Sequence, residues 1–403
     1  MEMKYFDLIK PGTNHDFVKY RRIAVVISLI VNALVLFGAM VWPGLNYGVD
    51  FAGGSELQVK FHKKVDVSDV RDEVGKLGFG EPNVQVYGKP DDNQFLIRVE
   101  RISLLTKEKA EQIKAAVQQA FPGLASFHFE PEIGDKLDFT FKQPVDEAQL
   151  RAVVEKASAS VKEIRQLSVR EGQEREYSVL TQGPADKIGQ DLRQRFGQDQ
   201  VEVVRTEYVG AQVGRELRID GIKAVAYAML IILLYVGLRF DFRFSPGVIL
   251  ALIHDAIITL GFFVVSRHEF NLTSVTVILT VVGYSVNDTI VVYDRIRENA
   301  KRHKGKPLRD LINLSINEML GRTILTSGAT ALSLLGLLIM GVGTIWDFAA
   351  AMLVGIVSGT YSTWYIASPM TIWVEEHSAQ RKAIEAAKPK APKKPGPQEA
   401  AAR

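Results

Sequence analysis

The sequence contains no cysteine. Disulfides and thiol chemistry are excluded, and the compartment stays undecided on that ground. Charge of one sign is also scarce in excess. The 49 Lys and Arg stand against 46 Asp and Glu, a net +3 over 403 residues. So small an imbalance gives no electrostatic case for nucleic acid. No phosphate loop, metal-ligand spacing or nucleophile–base arrangement can be read along the chain, so an enzyme is the least supported class. Nor does the N-terminal region read as a cleaved signal peptide. The basic patch Lys19, Tyr20, Arg21 and Arg22 precedes an apolar run from Ile23 to Trp42. A signal core has about 7 to 15 apolar residues and then small ones. This run is longer and ends in Trp-Pro-Gly, so it reads as an uncleaved first transmembrane helix.

What is present is a mixture that the mean hydropathy of +0.05 conceals. Residues 43–221 read as a water-soluble α+β domain. Elsewhere apolar runs are long enough to span a bilayer, about 20 residues each. Transmembrane helices are expected at 23–42, 222–238, 246–266, 272–293, 322–342 and 347–373. Residues 1–22 are expected to be a polar N-terminus, and 374–403 a disordered tail rich in Ala, Lys and Pro. Between the fourth and fifth helices, PLRDLINLSINEML reads as an amphipathic interfacial helix. Six spans put both ends on one side. The N-terminal basic patch, the RFDFR loop, the basic 294–309 loop and the tail then share that side, which is the cytoplasmic one. The large domain falls on the other side.

The large domain carries an internal repeat. ELQVKFHKKVDVSDVRDEV, from Glu56, matches KLDFTFKQPVDEAQLRAVV, from Lys136: an alternating strand, a Val-Asp pair, then a helix with an apolar stripe. Val65-Asp66 corresponds to Val145-Asp146, and Val74 to Val154. Each half continues with two strands, a helix and a strand, and the halves end alike, in EPEIG (130–134) and TEYVG (206–210). The order β-α-β-β-α-β implies a ferredoxin-like unit, present twice, in repeats at 55–134 and 135–210. Such a domain suits binding rather than catalysis.

Ionisable groups inside the apolar runs stand out, since Asp near a helix centre costs about 2.5 to 3.5 kcal/mol. Asp288 lies in GYSVNDTIVVYD (283–294), beside Asn287 and one turn after Tyr284 and Ser285. Arg322, opening the next run, reaches a similar depth on an antiparallel neighbour. A switchable Asp288–Arg322 pair is expected, with snorkelling of Arg322 to the interface as the alternative. Thr326 and Thr330 continue a hydroxyl stripe on the Arg322 helix. Asp255, next to His254 in the third helix, reads equally as a proton-path group or as a structural hydrogen bond. Gly53 and Gly54 in GVDFAGGSE, and Gly210 and Gly214 in VGAQVGREL, read as the turns into and out of the domain. Gly355 and Gly359 are spaced for close helix packing.

Taken together, DFAGG (50–54), VGAQVGREL, LIHDAIITLG (252–261), GYSVNDTIVVYDRIREN (283–299) and GRTILTSGAT (321–330) resemble the SecF branch of the SecD/SecF family of bacterial protein export, itself related to the RND transporters. The resemblance implies a six-helix inner-membrane bundle with a periplasmic domain after the first helix and both termini cytoplasmic. It implies partnership with SecD, the SecYEG channel, YajC, YidC and translocating preproteins. It implies no cofactor, with protons as the coupling ion. It maps the family's membrane-embedded Asp on Asp288 and its Arg on Arg322. An RND-type exporter of small molecules or lipids, and a purely structural subunit, remain open on the residues. One departure is visible: the family as a rule carries one ferredoxin-like unit, and this chain reads as carrying two.

Overall fold

The computed structural model describes residues 14–88, 92–100, 103–130, 135–157, 160–169, 175–240 and 244–387. Expectations for residues 1–13, for 241–243 in the RFDFR loop, for 131–134 in EPEIG and for the tail from 388 lie outside them, whereas 374–387, expected to be disordered, continue the last helix without a break. After helix α1 (Arg21–Met40) and a single turn, α2 (Val49–Ala52), comes the α+β domain. It runs β1 (Gly54–Phe61), α3 (Val67–Gly75), β2 (Asn83–Val86), β3 (Gln94–Val99), α4 (Lys107–Ala120) and β4 (Leu124–His128). It continues with β5 (Lys136–Phe141), α5 (Glu147–Lys156), β6 (Val161–Val169), β7 (Arg175–Thr181), α6 (Pro184–Phe196) and β8 (Val201–Val209). Then follow α7 (Ala211–Arg239), α8 (Ser245–Ser266), α9 (Leu272–Arg302), α10 (Leu308–Met340), α11 (Thr344–Ser362), a π-helical stretch (Thr363–Ala367) and α12 (Ser368–Ala387). Among the described residues, six helices are long and apolar enough to cross a membrane, the last running from Thr344 through the π-helical stretch to His377.

The membrane helices outrun their expected ends. α7 starts eleven residues before 222, and α9 passes 293 to reach Arg302. The segment expected to be a separate interfacial helix is the first third of α10. No proline interrupts 308–340, and Gly321 lies in a helix where a glycine costs only about 1 kcal/mol. At 31 and 33 residues, α9 and α10 exceed the bilayer core and form a hairpin beyond it. Ionic and polar contacts tie that hairpin. Glu318 accepts from Arg295 at 2.6 Å and from Asn299 at 2.6 Å.

The repeat is real, but its halves exchange partners. Leu57, Val59 and Phe61 of β1 and their counterparts Leu137, Phe139 and Phe141 of β5 all point into cores, as do Val70 and Leu150. The strand orders are β2-β3-β1-β8 and β4-β5-β7-β6. In the first, α6 and β8 complete the unit begun by β1, α3, β2 and β3, giving the ferredoxin-like order. In the second, α4 and β4 come before β5 in the chain yet occupy the place of a closing helix and strand. The second unit is thus a circular permutation inserted into the first. This corrects the linear boundaries 55–134 and 135–210. The apolar stripes on α4 (Ala110, Ile113, Val117) and α6 (Ala185, Ile188, Leu192) are interchangeable in pattern. Short connections settle the choice, because β4 reaches β5 by a seven-residue link and pairs with it antiparallel.

The domain sits on the membrane bundle through a polar clamp. Arg98 of β3 donates to Glu56 of β1 at 3.0 Å and bridges to Glu269, in the turn between α8 and α9, at 2.5 Å. Its other terminal nitrogen donates to the Tyr47 carbonyl at 3.0 Å. The Asp50 carboxylate of α2 accepts the Leu272 amide at 3.0 Å, at the start of α9. Gly53 and Gly54 have φ of +76° and +120°, which glycine adopts without strain, and a Cβ on Gly54 would meet the Val99 carbonyl at 2.6 Å. A Cβ on Gly214 of α7 would lie 3.1 Å from the Phe51 carbonyl, so the two glycine motifs pack against each other.

Two carboxylates on one guanidinium leave a buried negative charge. Burial pushes Glu56 up to about 7; the Glu269 charge adds to this and Arg98 opposes it. Glu269 is also raised, first by burial, with Arg98 opposing and Asp347 of α11 and Asp50 adding. Glu207 of β8 faces the same group. The protonated form of Glu56 therefore favours the docked domain. That contribution is fully present below the ordinary glutamate range and is lost as pH rises through about 7. Spin labels across the β3–turn contact are expected to report looser docking at pH 8 than at pH 6. Glu56→Gln should abolish most of that difference, and a pH response identical to wild type would contradict the assignment.

Candidate functional site

Inside the bundle, α8, α9, α10 and α11 bring polar side chains into one continuous core. Asp255 of α8 is completely buried. Its Oδ1 accepts from Ser358 of α11 at 2.6 Å and lies 3.0 Å from His254 Nδ1. Its Oδ2 accepts from Ser285 of α9 at 2.6 Å and from Ser362 of α11 at 2.7 Å. A buried carboxylate is tolerated when its lone pairs are met in this way. Ser358 and Ser362 stand one turn apart on the same face of α11, so a single helix supplies a donor to each oxygen. Thr259 adds a bond to the Asp255 carbonyl at 2.7 Å.

These bonds need α9 and α11 to approach closely. Gly355 and Gly359 allow it. A Cβ at Gly355 would collide with Val281, and one at Gly359 would come within 3.0 Å of the Ser285 Cβ. Below this contact α11 widens into the π-helical stretch, a feature that often marks a functional site. There Thr363 meets Thr289 of α9 at 2.8 Å, and the Ala367 carbonyl accepts from the buried Tyr293 at 2.7 Å.

Asp288 lies three residues beyond Ser285, about 4.5 Å of helix rise. It is 8% exposed. Its Oδ1 accepts from Thr323 of α10 at 2.9 Å. Its Oδ2 is buried and meets no donor among the described residues. The expected ion pair is not formed: Arg322 has no carboxylate within 4 Å among the described residues and its side chain is exposed. Successive residues on a helix point about 100° apart. Thr323 faces Asp288, and Arg322, one residue earlier, lies exposed on the helix surface outside ion-pair distance.

The other expected residues divide. Tyr284 accepts from Thr330 at 3.3 Å, and Ser327 meets Thr360 of α11 at 3.1 Å. Thr326 returns its hydroxyl to the Arg322 carbonyl and is exposed. Asn287 is exposed on α9, away from the core. His254 is buried and joins the Asp255 cage. Gly210 is the N-cap of α7 with ordinary extended backbone. Ser358, Ser362, Thr289 and Thr363 are in the core and were not foreseen. The signal for the two serines was present: hydroxyls at i and i+4 in an apolar helix, beside glycines at the same spacing. The site has no group of three or more His, Cys, Asp or Glu side chains fit for a metal among the described residues.

Comparisons with known proteins match this arrangement. Residues 189–377 match the family model for protein export membrane protein SecD/SecF, C-terminal, and residues 41–65 the SecD/SecF GG motif. The "protein translocase subunit SecF" of Magnetococcus marinus is 36% identical over 93% of this chain and 97% of the relative. That of Rickettsia akari is 30% identical over 96% of this chain and 100% of the relative. The crystal structure of SecDF, a translocon-associated membrane protein from Thermus thermophilus, superposes with a TM-score of 0.62 at 27% identity. It covers 91% of this chain, which spans 39% of that longer one. With a glycine motif, a six-helix bundle and full-length relatives in agreement, the chain belongs to the SecD/SecF family of protein export membrane proteins.

Proposed function

We propose that this chain is the SecF-type accessory subunit of a Sec preprotein translocase and that it couples proton movement to export. The reading of its family role rests on its full-length relatives. The coupling rests on one observation: two carboxylates in one buried polar core, Asp255 with every oxygen met and Asp288 with Oδ2 unmet. A proton arriving at Asp288 fills the Oδ2 position that no donor meets, while Asp255 keeps its hydroxyl cage. Asp288, Ser285 and Thr289 ride on one helix, so relaxation at Asp288 is felt at the Asp255 cage. It is also felt at the start of α9, where Asp50 and Glu269 hold the α+β domain. One charge moved through 100 mV yields about 2.3 kcal/mol, enough to shift a two-state equilibrium by about fiftyfold.

The basic hairpin of α9 and α10 and the N-terminal segment belong together. Asp16 meets Arg309 at 3.4 Å, and Asn317 binds both backbone groups of His15. By the positive-inside rule this is the cytoplasmic face of the inner membrane, and the α+β domain is periplasmic. Protons then enter from the domain side.

SecD is the partner this surface fits. Along α9, Thr276, Thr280, Gly283 and Asn287 are exposed, and Thr326, Ala329 and Ser333 continue the patch on α10. A Cβ on Gly283 or Gly328 would meet nothing within 4 Å. The Thr and Ser hydroxyls return to backbone carbonyls of their own helices, but the Asn287 amide facing hydrocarbon is costly, and small residues permit a second helix to approach. SecYEG, YajC, YidC and the preprotein belong to the same assembly in this reading.

Two experiments test these statements. In vesicles carrying the complete translocase, Asp288→Asn is expected to lose at least tenfold in proton-gradient-dependent preprotein release while retaining assembly. Release at the wild-type rate would reject the coupling role. The chain lacks cysteine, so a thiol introduced at Asn287 reports its neighbour cleanly. It should crosslink to SecD, whereas labelling by lipid-soluble reagent with no SecD adduct would remove that interface.

A further inference from the structure

At the end of the bundle away from the α+β domain, the last turn of α7 and the facing stretches of α9 and α10 enclose a cleft of about 560 Å³. Five cations line it, Arg239, Arg295, Arg297, Lys301 and Arg322, against the carboxylates of Asp294 and Glu298. Much of the negative charge is already engaged. Glu298 binds Arg295 at 2.6 Å and Arg302 at 2.5 Å, and Arg295 is further held by Glu318 at 2.6 Å. Asp294 reaches Arg297 only at 3.8 Å. Arg239, Lys301 and Arg322 make no ion pair within 4 Å among the described residues.

Two of the cations are also held in place. The guanidinium groups of Arg239 and Arg297 lie 5.4 and 5.5 Å from the centre of the Phe240 ring, which is itself buried. A ring that stacks two guanidiniums presents them together, at lower entropic cost than free side chains. The apolar part of the lining comes from Val291 and Met319. Here the apolar helices give way to the charged hairpin, the level at which lipid headgroups lie. A basic cleft between helices at that level, with an apolar wall, suits a phosphate carrying acyl chains better than a free one.

We propose that this cleft binds the phosphate of an anionic phospholipid headgroup, with Arg239, Arg297, Lys301 and Arg322 as its cations. The assignment stands on charge and position and does not depend on the translocase reading. It has a consequence for Arg322. A phosphate in the cleft engages the guanidinium that the sequence suggested for Asp288, and Thr323, the next residue, is left as the partner of Asp288.

The test uses the full chain in nanodiscs of phosphatidylcholine with 30 mol % (about one lipid in three) phosphatidylglycerol, followed by native mass spectrometry of retained lipid. Wild type is expected to retain phosphatidylglycerol over phosphatidylcholine. Arg239→Gln combined with Lys301→Gln should lose that preference about tenfold or more, since two of the four cations that face the phosphate are removed. Lys301→Arg should retain it, which separates charge from misfolding. Equal retention by wild type and the double variant overturns the proposal. Displacement of the lipid by millimolar inorganic phosphate overturns the lipid assignment in favour of a soluble anion.

Discussion

The structure turns on one carboxylate that has no access to water. Asp255 is tolerable in the interior because three serine hydroxyls and an imidazole nitrogen surround its oxygens. The hydroxyl donors come from α9 and α11 and the carboxylate from α8, so the cage fixes how the three helices sit together. The hydroxyls are short and reach only if backbones are close, which makes Gly355 and Gly359 necessary rather than decorative. The π-helical stretch adjoins the same cage. It begins directly after Ser362, the last cage residue, and its Thr363 pairs with Thr289 of α9. Removing a single donor leaves a buried charge short of a partner, which costs about 1 to 3 kcal/mol.

α9 carries the consequences of that cage to both ends of the molecule. Its first residue is bound by Asp50, and the turn before it holds Glu269 against Arg98 and Glu56. Its middle supplies Ser285 and Asp288. Its last turns are fastened to α10 through Arg295, Asn299 and Glu318. One helix is thus bound at three levels, at its start, its middle and its last turns. The α+β domain adds a lever because the same clamp attaches both of its ends, through Gly53, Gly54 and the start of α7.

Much of this was legible in the sequence. Runs of apolar residues located all six membrane helices, since the bilayer demands an apolar surface of fixed length. Period-two and period-3.6 patterns located the strands and helices of the repeat, down to the matching of Leu57 with Leu137. What patterns cannot express is choice of partner. The apolar stripes of α4 and α6 fit either sheet, so the nested permutation was invisible. Helix ends failed for a related reason: α9 and α10 continue into water with good helix formers, and hydropathy registers only where the membrane stops. At the site, Asp255 and Asp288 were conspicuous as charges in hydrocarbon, but the identity of their partners was not. Opposite charge suggested Arg322 for Asp288, whereas the helix phase gives that place to Thr323 and leaves the arginine exposed.

The central claim is that Asp288 changes its protonation when the proton gradient changes. Infrared difference spectroscopy of the reconstituted complex after a pH step on the domain side measures this directly, through the carbonyl stretch of a protonated carboxyl group. The account predicts a band in that region that disappears in Asp288→Asn and persists when the Asp255 cage is altered by Ser358→Ala. A band unchanged in Asp288→Asn would contradict it.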